Sequence, residues 1–217
     1  MVAAADINEF LAGSDASCTA GIAQYIPNSG NRDFDYALAQ TLSRLTDTFN
    51  VLPGFTYFSG ANEGGAFATN AECLNRSDGT VFFGRARFRQ TMALAEHPDV
   101  ALTAICAHEF AHILQLKRGL VGILNAGSPT VKRSELHADF LAGFYSGMRK
   151  LDRPNYPAAV FATLLESLGD WNVYSRNHHG RPDERAAAIV RGYEVAYRER
   201  RGFSEAVQIG INYVSAL

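Results

Sequence analysis

An α+β fold, a small sheet packed on a mostly helical body, is what this sequence predicts. Short aromatic or β-branched runs separated by Asn, Gly, Ser and Asp lie between residues 55 and 88. Stretches with apolar residues at helical spacing lie on both sides of them. The pentapeptide HEFAH, His108 to His112, sits in the middle of one such stretch and places that helix at the centre of the fold.

The N-terminal piece reads as helical, with residues 34–49 its best helix. Three strands follow: FTYFSG at 55–60, GAFAT at 65–69 and TVFFGRARF at 80–88. A helix then starts at Pro98 and Asp99 and continues through Val100, Leu102, Ile105, Phe110, Ile113, Leu114 and Leu116 without an internal Gly or Pro. It is apolar nearly all round, the pattern of a buried helix. Residues 119–128 form a Gly-containing connector, and a return helix runs from about 134 to 151. Residues 156–168, 182–200 and 204–214 carry apolar side chains at helical spacing. At 217 residues and 47% hydrophobic, the chain 1–217 reads as a single domain able to bury a sizeable core.

Two imidazoles four residues apart share one face of a helix, so His108 and His112 can grip one zinc ion while Glu109 reaches the water on it. A Glu inside an apolar helix is costly unless something compensates it. A catalytic zinc takes three protein ligands and keeps one position open, so a further ligand is expected elsewhere. SELHADFLAGFYSG supplies the candidates. Glu135 follows His112 by 23 residues, enough for a turn and an antiparallel return. Glu135 and Asp139 share a helix face and would repel each other without nearby cations. Glu135 is therefore the expected third ligand, and Asp139 the acceptor for the free ring nitrogen of a zinc-bound His. His137 is the rival ligand, but it projects about 200° around the helix from Glu135, so both cannot face one ion.

H-E-x-x-H followed by E-x-x-A-D resembles the gluzincin metallopeptidases, in particular the family of HtpX-like and CAAX prenyl endopeptidases. The resemblance implies a zincin-like arrangement, one Zn2+ per chain, and Glu135 as the third ligand. NHHGRPDERAAAI resembles that family's late His followed six residues on by Arg, here His179 and Arg185. It implies that His179 steadies the tetrahedral intermediate and Arg185 braces the site. Gly180 stands where the family has Pro, and His178 competes with His179 for the role. GAFAT resembles the family's N-A-F-A stretch, which implies that Gly65, Ala66, Phe67 and Ala68 form an edge strand that pairs with an extended peptide. Gly65 stands where the family has Asn, with Asn62 and Asn70 nearby. Many members carry transmembrane helices. No stretch here approaches eighteen consecutive apolar residues, so the chain corresponds to the soluble catalytic core alone.

A net charge of −2 gives no pull toward nucleic acid or an anionic membrane. Arg191, Arg198, Arg200 and Arg201 are interleaved with Glu194 and Glu199 and read as a solvated face. Cys106, inside the apolar helix, reads as a core residue, whereas Cys18 and Cys73 could pair in an oxidising compartment. The opening MVAAADINEF resembles a mature chain behind a replaced Met, which implies a periplasmic or secreted protein after signal removal, with a cytoplasmic one as the alternative. The expectation is a zinc-dependent endopeptidase acting on peptide or protein substrates. Its alternatives are a non-catalytic zinc-containing peptide-binding module and a metal-dependent hydrolase of another bond.

Overall fold

The computed structural model describes residues 18, 21–74, 76 and 78–217. The opening segment read above as a mature N-terminus lies outside them. In chain order the elements are β1 (Ile22–Ile26), α1 (Arg32–Phe49), β2 (Gly54–Gly60), β3 (Ala66–Thr69), β4 (Thr80–Gly84), α2 (Arg85–Met92) and α3 (Pro98–Lys117). There follow α4 (Leu120–Leu124), α5 (Lys132–Asp152), α6 (Ala159–Glu166), α7 (Pro182–Tyr197) and α8 (Phe203–Ser215). The architecture is α+β, as expected.

The sheet is mixed, in the order β1-β2-β4-β3. β1 runs antiparallel to β2, β2 parallel to β4 from Gly54↔Thr80 to Phe58↔Gly84, and β3 antiparallel to β4 from Ala66↔Phe83 to Thr69↔Thr80. Alternation divides the aromatic side chains between the two faces. Tyr57 and Phe83 join the core shared with the helices, while Phe58, Phe67 and Phe82 pack on one another, Phe58 edge-on to the other two, with ring centroids 5.0 to 6.1 Å apart.

Two strand expectations are corrected. β1 occupies a region read as helical, and it is a five-residue strand whose pairing to β2 carries an irregularity between Ile22 and Gln24. The run at 80–88 is strand only to Gly84, where the chain turns directly into α2. There the Gly84 backbone lies against Glu63, so closely that an added Cβ would overlap the Glu63 carbonyl oxygen. Within RARFRQTM only Phe88 and Met92 are large and apolar, four residues apart, which suits one face of a helix better than a strand. Phe88 packs on Phe34 and Tyr57 from that face.

α1 is capped by Asn31, whose side-chain oxygen accepts from the N–H groups of Asp33 and Phe34 at 3.1 Å. α3 is the most deeply buried helix on the path to the site: Val100 to Ala111 is buried throughout, against α1, α5, α6 and β3. α5 packs against both α3 and α7. The α5–α7 crossing is close because it lacks side chains at its centre. A Cβ at Gly143 would overlap the Ile189 carbonyl oxygen, and one at Gly192 the Phe140 carbonyl oxygen. That closeness brings Arg185 of α7 beside Asp139 of α5. Cys18 and Cys73 form a disulfide that ties residue 18 to the β3–β4 connection. Cys106 is a buried free thiol in α3. Among the described residues, no helix is long and apolar enough to cross a membrane.

Candidate metal centre

Helix α3 places His108 and His112 one turn apart, and α5 brings Glu135 against them. The two Nε2 atoms are 3.0 Å apart, His108 Nε2 is 3.3 Å from Glu135 Oε2, and His112 Nε2 is 3.4 Å from Glu135 Oε1. Tetrahedral donors bonded at 2.0–2.1 Å lie about 3.3 Å from one another, so the three side chains fit a small divalent cation. These are the residues that could hold a metal ion. Their side chains keep 8, 13 and 9% of their surface accessible for His108, His112 and Glu135, so the cluster can be reached from solvent.

Behind them the support is sealed. His108 Nδ1 donates to Asp139 Oδ1 at 2.9 Å, which leaves Nε2 as the nitrogen facing Glu135. Asp139 is fully buried and takes a forked pair of bonds from Arg185, Nε to Oδ2 at 2.7 Å and Nη2 to Oδ1 at 2.9 Å. Arg185 Nη1 also donates to the Leu168 carbonyl oxygen. Burial pushes the Asp139 carboxyl up, but Arg185 and His108 outweigh it and hold the group below its ordinary range. Burial acts likewise on Glu135, where His112, His179 and the hydrogen bonds of both imidazoles hold the carboxyl well below the usual carboxylate range.

His137 turns away from the cluster, as the helical angle required. It is fully buried, with Nδ1 3.1 Å from Gln115 Nε2 and Nε2 3.3 Å from the Val207 carbonyl oxygen. Burial, opposed by the Val207 bond, pushes its imidazole down to about 4, so the ring is neutral.

Glu109 is buried beside His108. Among the described residues no hydrogen bond or ion pair engages its carboxylate, and burial raises its proton affinity against the opposing pull of His108 and His112. His178 and His179 separate cleanly. His178 is buried, with Nδ1 2.7 Å from Asp170 Oδ1. The His179 backbone N–H donates to Asp170 Oδ2 at 2.9 Å, and its ring, 29% accessible, acts electrostatically on Glu135. Among the described residues β3 is the last strand of the sheet, and it packs against α3. It contains Ala66, Phe67 and Ala68, whereas Gly65 lies just before it, its N–H bonded to the Asn62 carbonyl and its own carbonyl accepting from the Gly84 N–H.

Sequence reading missed Gln115, whose Oε1 lies 3.0 Å from His112 Nδ1, and Asp170, which anchors the backbone of His179. Gln115 was findable: it sits three residues beyond His112, on the same face of an otherwise apolar helix. A cavity of about 420 Å3 between α5, α6 and α7, lined by Ser146, Tyr156, Ile189 and Tyr193, contains none of the site residues.

No family model, curated protein or solved structure matches this chain.

Proposed function

We propose that this chain is a zinc-dependent endopeptidase. The observation that carries the reading is the convergence of His108, His112 and Glu135 beside a buried Glu109 that, among the described residues, bonds to no other side chain. Two imidazoles and a carboxylate suit zinc, and a purely structural zinc site usually closes with a fourth protein ligand and has no use for a carboxylate kept free of partners. When bound, zinc supplies a Lewis acid that polarises a carbonyl and acidifies water toward neutrality. Glu109 takes the proton of the attacking water and hands it to the leaving amine. His179, placed by Asp170, donates to the oxyanion as it develops, a contribution of about 3 kcal/mol for one donor. Asp139 holds the His108 ring, and Arg185 balances the charge of Asp139.

On this reading β3, which packs against α3, is the strand beside which an extended peptide substrate runs, near Ala66, Phe67 and Ala68, with Gly65 at its start. The Cys18–Cys73 disulfide favours an oxidising compartment, in line with an exported protein.

A diverse library of unstructured peptides, read by mass spectrometry, tests the activity. Cleavage is expected with the untreated protein and neither after chelation nor with Glu109→Gln. Undiminished cleavage by Glu109→Gln would remove Glu109 as the base. Silence in all three samples with zinc bound would contradict the peptidase and leave a peptide-binding module.

A further inference from the structure

Gln115 is fully buried, and each end of its amide is committed. Nε2 donates to the Ser134 carbonyl oxygen at 2.8 Å and to His137 Nδ1 at 3.1 Å, while Oε1 lies 3.0 Å from His112 Nδ1. Ser134 is what fixes the amide. A flipped amide would face its oxygen against the Ser134 carbonyl oxygen, two acceptors with no hydrogen between them. With Oε1 toward the imidazole, His112 must carry its hydrogen on Nδ1. The opposite amide orientation would demand the other tautomer, with a hydrogen on the Nε2 that faces Glu135 and His108. His137 extends the chain: its Nδ1 accepts from Gln115, so Nε2 is the donor to the Val207 carbonyl oxygen of α8.

We propose that Gln115 is a positioning residue for the ligand His112: it fixes the ring's tautomer and orientation, and through His137 it ties both to the C-terminal helix. His108 receives the same service from a carboxylate, Asp139, so the two imidazoles are held by partners of different charge. The inference rests on the metal centre proposed above and not on the bond the protein cleaves.

The test measures zinc affinity of the full chain by competition with a chromophoric chelator, for wild type, Gln115→Met and Gln115→Glu. Gln115→Met removes the acceptor at similar volume, and its affinity is expected to fall about 10–100-fold, the range for loss of a partner behind a ligand. Gln115→Glu keeps the acceptor but loses both donations, and is expected to recover most of that loss. A merely structural role gives the reverse order, because the Glu side chain faces the Ser134 carbonyl and the Met does not. Nitrogen–proton correlations of the His112 ring in zinc-loaded protein give a second readout. The Nδ1–H signal is expected to exchange slowly in wild type and Gln115→Glu, and faster in Gln115→Met. Affinity of Gln115→Met within about twofold of wild type, or Gln115→Glu weaker than Gln115→Met, would overturn the proposal. Should Gln115→Met not fold, Gln115→Glu decides alone: a loss beyond about tenfold overturns it, and a smaller one supports it. Wild type that takes up no zinc would instead overturn the metal centre beneath it.

Discussion

At His108 three charges meet. Burial pushes the imidazole down from its ordinary 6.5, but hydrogen bonds to Asp139 and Glu135 carry it up to about 10. A ring with a raised folded value contributes stability fully below the unfolded value and loses it as pH rises through about 10, so the metal-free protein holds this ring protonated at neutral pH. A metal ion needs Nε2 without its hydrogen, so zinc binding near neutrality must release at least one proton and must strengthen as pH rises. Titration calorimetry in buffers of different ionisation heat counts that proton; uptake of zinc with no release would mean that the His108 ring is already neutral in the metal-free protein. His108, His112, Glu135 and Asp139 were legible because helical spacing sets each pair on one face of its own helix. Gln115 was legible only as a neighbour of His112 on its helix face, while its bonds to Ser134 and His137 form once distant segments pack, as does the bond from Asp170 to the backbone of His179.

Among the elements, α3 and α5 were readable from unbroken apolar periodicity, whereas the sheet was readable only in part. β1 is short, and its pairing to β2, not its own pattern, makes it a strand. The aromatic run read as one strand is β4 only up to Gly84, where the backbone meets Glu63 and turns into α2. The α5–α7 crossing holds Arg185 on Asp139, and its closeness depends on glycine. Gly192→Ala forces a Cβ into the Phe140 carbonyl oxygen and is expected to destabilise the protein by about 1–3 kcal/mol, the range for overpacking a tight interface. Chemical denaturation measures it, and unchanged stability would show that the helices separate without cost.

For the molecule as a whole, the candidate centre joins α3 to α5, and α7 closes behind it through Arg185. An ion held by His108, His112 and Glu135 therefore cross-links segments distant in the chain, and it stabilises the folded state in proportion to its affinity. The claim on which the rest depends is that these three side chains hold one ion. Native mass spectrometry of the zinc content of wild type, Glu109→Gln and Glu135→Ala tests it most directly. One zinc per chain is expected in the first two, with its loss from Glu135→Ala. Zinc retained undiminished by Glu135→Ala, or absent from wild type, would contradict it.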